Sequence, residues 1–190
     1  MVQESAPSEV EIRPVTPDQH DALMRFFDLV AYADNPAWAK CYCMFPLVRD
    51  YEERTKEQNR AARSALVRSG AANGLVAYRL DRVVGWCHPA PTTELANVPD
   101  ASPERGAIVC FVVAPDQRRQ GIATALLGRA LSHLKERGCT EVDAAPLTES
   151  AEGAASPNAN YHGPLPMYLR AGFTVVGPLG RDQVLVRRSL

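Results

Sequence analysis

Ala107 to Val113 reads Ala-Ile-Val-Cys-Phe-Val-Val, an apolar run with no charged side chain to turn toward water. Such a run fits a central strand buried on both faces. A turn follows, and then Ile122, Leu126, Leu127, Ala130, Leu131 and Leu134 recur at helical spacing until Gly138 stops the helix. A doubly buried strand joined to an amphipathic helix requires further elements on both sides of one sheet, which places the chain among layered α/β folds.

The remaining segments supply those elements. Val10 and Ile12 alternate with charged residues and predict a short strand ended by Pro14. Thr16-Pro17-Asp18-Gln19 has the form of a capping box with proline at the first helical position, ahead of Leu23, Phe26, Phe27 and Val30 on one face. Asn35 to Val48 has no clear period, and a polar helix is expected over about Glu52 to Val67, with Ala61, Ala65 and Leu66 as its packing residues. Gly74 to Leu80 and Val83 to His88 predict a hairpin turning at Asp81-Arg82, and a loop over Pro89 to Pro103. Beyond the long helix come a strand at Thr140 to Ala144, a loop of small residues from Pro146 to Asn160, a short helix near Pro164 to Ala171, and strands at Phe173 to Gly177 and Gln183 to Arg188.

With 190 residues and 46% hydrophobic content, the expectation is one domain over 1–190, its first eight residues flexible. A net charge of -1, with both signs interspersed, provides no field for nucleic acid. Met1 to Pro14 lacks the basic start and apolar run of a signal peptide, and no apolar run is long enough for a bilayer. Five cysteines, an odd number, suit reduced thiols, so a cytoplasmic protein without membrane association is expected. Cys41 and Cys43 lack the second pair or histidine cluster that would complete a four-ligand metal site; no metal is expected.

Chemistry concentrates in Val113-Ala114-Pro115-Asp116-Gln117-Arg118-Arg119-Gln120-Gly121-Ile122-Ala123. A helix start offers unpaired N–H groups and the positive end of the peptide dipole, a glycine permits close approach, and two arginines add charge. The stretch suits a diphosphate. On residue chemistry alone it suits a plain turn with solvated arginines equally well.

The stretch also resembles the acetyl-CoA motif of the GCN5-related N-acetyltransferase (GNAT) family, Arg/Gln-x-x-Gly-x-Gly/Ala after a strand, with Arg118, Gly121 and Ala123 at the marked positions. Element order from Val10 to Arg188 is similar, and Tyr168-Leu169-Arg170-Ala171-Gly172-Phe173 looks like the family's late tyrosine helix. The resemblance implies an α/β (α+β) fold with a mixed, mostly antiparallel sheet of about six to seven strands and about four helices. It implies transfer of an acetyl group from acetyl-CoA to a primary amine, on a small molecule or a peptide, by direct attack in a ternary complex. A non-catalytic acyl-CoA-binding or sensing module is the alternative, and a homodimer stays open.

Carried over residue by residue, the resemblance assigns coenzyme contacts to Phe111, Val112, Val113, Arg118, Arg119, Gln120, Gly121, Ile122, Ala123, Thr124, Asn160 and Tyr168. Tyr168 would protonate the departing thiolate, since a phenol is protonated at neutral pH. The Val113 N–H would polarise the thioester carbonyl. The family often has Asn where Tyr161 stands, with Asn158 and Asn160 nearby. For the base, Ala107 to Val113 offers no acid; Glu104 is the choice, with Glu94, His88, Asp143 and His162 as other candidates. Trp38, Tyr42, Phe45, Cys41 and Cys43 are expected at the acceptor wall, with the cysteines and Cys110 as packing thiols.

Overall fold

The computed structural model describes residues 9–96, 98–148, 151, 156 and 160–190. The first eight residues and Asn158 lie outside them. Strand β1 (Val10–Pro14) leads into helix α1 (His20–Leu29), and three short 3-10 turns precede α2 (Lys56–Arg68). Then come β2 (Leu75–Arg79), β3 (Arg82–Pro91), β4 (Arg105–Val113), α3 (Ile122–Glu136), β5 (Glu141–Ala144), α4 (Leu165–Arg170), β6 (Thr174–Leu179) and β7 (Gln183–Ser189). The seven strands form one sheet in the order β1-β2-β3-β4-β5-β7-β6. Only β4 and β5 pair in parallel.

The two faces of the central strands feed two cores, with register shifts in β3 interrupting the strict alternation. Val76, Trp86, Cys110 and Val112 pack with α1 and the segment before α2, while Ala77, Val84, Ile108 and Phe111 pack with α3 and α4. The double burial expected of Ala107 to Val113 is present.

Three local readings need correction. The hairpin turns at Leu80-Asp81, where an exposed Leu80 takes φ 55°, because Arg79 pairs with Arg82. Strand β3 runs on through Pro89 to Pro91 instead of ending at His88. Its pairing with β2 stops at Cys87, so these prolines lie where that side of β3 has no ladder to break, next to a register shift between Cys87 and Pro89. Helix α2 starts at Lys56, capped by Thr55, whose hydroxyl accepts from the Gln58 N–H at 3.2 Å.

The buried stripe of α2 is also different. Asn59, Arg63 and Val67, four apart, are buried, while Ala61 and Ala65 are exposed. Arg63 donates from Nε to the Tyr42 carbonyl at 2.9 Å and from Nη2 to the Cys43 carbonyl at 2.7 Å. These bonds hold Tyr42 and Cys43 at φ 45° and 55°, a left-handed turn uncommon for side chains of this kind.

Candidate active site

The β4–β5 ladder ends at Ile108 and Ala144, after which the strands part. The Ala114 N–H bonds the Val84 carbonyl across β3 at 2.9 Å. Because successive strand amides alternate in direction, the Phe111 and Val113 N–H groups face the gap. The Tyr161 carbonyl accepts the first at 2.7 Å, and the Val113 carbonyl accepts from Arg118 Nε at 3.1 Å.

Beyond the gap the chain is fastened and then twisted. Arg82 holds Asp116 through two bonds of 2.7 and 3.1 Å, and Arg79 donates to Gln117 at 2.5 Å and to Gln120. Arg119 (φ 61°) and Gly121 (φ 80°) are left-handed, and Gly121 caps α3. A Cβ built on Gly121 would meet no atom within 4 Å, so this glycine serves backbone conformation and leaves open space in front of the helix. The N–H groups of Gly121, Ile122, Ala123 and Thr124 have no partner inside the helix, and all four residues line a cavity of about 270 Å³.

Phe111, Val113, Arg118, Arg119 and Asn160 line the same cavity, so nine of the expected coenzyme residues converge there. Three do not. Val112 belongs to the core on the opposite face, Gln120 is turned to Arg79 and the Asp116 carbonyl, and Tyr168 is fully buried. Arg118 reaches the cavity wall but spends its guanidinium on Asp34, which it holds below the usual carboxylate range, and on Val113. It ties the loop to the segment after α1. Sequence reasoning missed Gly163, Met167 and Arg170 of the wall; the spacing of the last two, one turn apart on α4 beside Tyr168, could have signalled them.

The Tyr168 hydroxyl donates to the His162 carbonyl at 2.7 Å, with its ring against Phe111 and Phe173. Burial pushes its pKa well up and lowers that of His162. Tyr161 packs between Tyr32 and Trp38, and burial pushes its phenol up to about 12. The base candidates do not line the coenzyme cavity, and His88 and Glu94 share a second groove. Glu104 lies exposed at the opposite end of β4, its carbonyl accepting from Thr140; Asp143 is held by Arg187 at 2.6 and 2.8 Å; Glu94 is held by Arg137 and Asn73. None of these carboxylates reaches the cavity.

His88 lies on the other face of the sheet, with Nδ1 3.1 Å from Cys43 Sγ. All five cysteines are buried and unbridged. Among the described residues no group of His, Cys, Asp and Glu could hold a metal, and no helix is long and apolar enough to cross a membrane.

An anion-receptive helix start directly after a strand is what the resemblance implied, and the family model for the acetyltransferase (GNAT) family matches residues 36–162. The chain belongs to the GNAT acetyltransferase family. Solved GNAT-type structures share its fold at low identity. The PaiA N-acetyltransferase of Thermoplasma acidophilum, in complex with coenzyme A, is 15% identical with a TM-score of 0.58, over 96% of this chain and 99% of that one. YncA, a putative acetyltransferase of Salmonella typhimurium solved with acetyl-CoA, is 16% identical with a TM-score of 0.58, over 95% and 94%. The ribosomal-protein-alanine N-acetyltransferase of Brucella melitensis is 18% identical with a TM-score of 0.57, over 95% and 99%. No curated protein matches the chain in sequence.

Proposed function

We propose that this GNAT chain transfers the acetyl group of acetyl-CoA to a primary amine by direct attack within a ternary complex. The observation that carries this reading is the row of amides from Gly121 to Thr124, without partners inside the helix, opening on a cavity that continues to the parted edge of β4. A diphosphate fits those amides, because they combine donors with the positive end of α3. Arg119 and Arg170, both on the wall, add charge. The coenzyme supplies an acetyl group activated as a thioester.

The Val113 N–H, facing the gap, would donate to the thioester carbonyl, where a rigid donor stabilises developing charge. Tyr168 would supply the proton for the leaving sulfur once its hydroxyl releases the His162 carbonyl and its ring reaches past Phe111 to the cavity; its raised pKa keeps that hydroxyl protonated at neutral pH. With no carboxylate at the cavity, the amine would arrive neutral.

The test combines calorimetry with acetyl-CoA and an acceptor screen that measures free CoA. Acetyl-CoA binding together with CoA release for at least one amine is the expected outcome. A non-catalytic acyl-CoA-binding module is a second reading, favoured by the engagement of the Tyr168 hydroxyl with His162. Binding without release across the amine panel would establish that reading; no binding would end both.

A further inference from the structure

On the face of the sheet where α1 and α2 pack, away from the coenzyme cavity, the start of α1 meets the second half of α2. His20 is the first residue of α1, and only 13% of its side chain is exposed. Its Nδ1 lies 2.7 Å from Asp21 Oδ1, and its Nε2 lies 2.8 Å from Ser64 Oγ and 3.2 Å from Arg68 Nε. Ser64 and Arg68 stand one turn apart on α2, so both reach the same ring. Asp21, His20 and Ser64 thus form an unbroken chain of carboxylate, imidazole and hydroxyl. All three sit on helices, which hold such an arrangement more tightly than loops do.

Arg68 settles where the imidazole hydrogen sits. A guanidinium N–H only donates, so Nε2 is an acceptor without a hydrogen, and the ring N–H is on Nδ1, where Asp21 accepts it. Ser64 Oγ therefore donates to Nε2. A serine inside a helix commonly returns its hydroxyl to the carbonyl one turn back, as Ser132 does to Gly128 at 3.5 Å; Ser64 gives its own to a base 44 residues away. This tautomer and these bond directions are what abstraction of a serine proton requires. The rest of the Arg68 guanidinium has no partner among the described residues, so an uncommitted positive charge adjoins the pair.

We propose that Ser64, with His20 as its base and Asp21 as the positioning residue, is a second nucleophilic centre that takes up the acyl group of small carboxylic esters with good leaving groups, such as aryl acetates. Asp21 and Arg68 are exposed and Ser64 is half-buried, so the centre suits small substrates that need no enclosing cleft. Ser64 Oγ bonds to the ester carbonyl carbon and passes its proton to His20 Nε2, while the carbonyl oxygen becomes an oxyanion that the Arg68 charge favours. The ester C–O bond then breaks, and the departing alcohol takes the proton from Nε2. Water, giving its proton to the same nitrogen, hydrolyses the Ser64 ester to the carboxylic acid and restores the hydroxyl. The sequence of steps uses no coenzyme and stands apart from the acetyl-CoA reading.

The test treats CoA-free protein with diisopropyl fluorophosphate, maps the label by peptide mass spectrometry, and follows p-nitrophenol release from p-nitrophenyl acetate. The label is expected on Ser64, and Ser64→Ala is expected to abolish both label and release. His20→Gln should slow both at least about 10²-fold, the contribution of a positioned base. No label, label on other residues alone, or equal rates in the wild type and His20→Gln would overturn the proposal. Should His20→Gln not fold, Asp21→Asn decides, because that side chain is fully exposed and its exchange spares the fold. Slower labelling of Ser64 in Asp21→Asn supports the centre, and an unchanged rate refutes it.

Discussion

Gly121 meets two demands at one position, a left-handed backbone and clear space ahead of four amides that have no partner inside the helix. Gly121→Val places a β-branched side chain at φ 80°, strained by roughly 1–2 kcal/mol, and pushes it toward the coenzyme's position. CoA affinity measured by calorimetry should fall at least about tenfold, a loss of about 1.4 kcal/mol. Gly128 is the control, since it lies exposed within α3 with ordinary φ and nothing within 4 Å of an added Cβ. Gly128→Ala should leave CoA binding alone and raise stability by up to about 1 kcal/mol, read from urea midpoints. Tyr168→Phe keeps the ring packing and removes the hydroxyl. Its expected signature is unchanged CoA affinity with kcat lowered by about 10² or more, together with an altered alkaline limb of the pH profile; equal kcat would remove Tyr168 from the chemistry and leave it a helix anchor bonded to His162.

Among the elements, α3 and β4 were readable because their patterns are strong and local. Helix α2 was not. Its register depends on Arg63 and Asn59, residue types ordinarily solvated, and only the carbonyls of the left-handed turn at Tyr42 and Cys43 give Arg63 a reason to be buried. Arg63→Met should therefore cost about 2–4 kcal/mol in urea unfolding, since two carbonyls lose a charged donor. The same change should loosen the turn, seen as faster amide exchange around Cys43. The extension of β3 through two prolines was likewise invisible, because whether proline breaks a ladder depends on which neighbour strand is still beside it.

For the whole molecule, pH sensitivity follows from groups on separate elements. Burial lowers the pKa of His133 on α3 and of His162 before α4 from the ordinary 6.5. Unfolded chains then bind more protons, so the stability these residues contribute is complete above about pH 6.5 and is lost as the pH falls through that value. Urea midpoints at about pH 7.5 and pH 5.5 should show the decline, and the double substitution His133→Gln and His162→Gln should reduce it. Sequence alone determined the double-faced strand β4, its helix and the glycine turn between them, because buried-strand composition, helical period and conformational freedom are local properties of consecutive residues. Tertiary structure decided that Arg118 grips Asp34, that Glu104 ends up remote from the cavity and that His88 meets Cys43 at 3.1 Å. Those outcomes depend on how far two strands stay paired and which residues of a distant segment come to lie against them, and no local pattern encodes that.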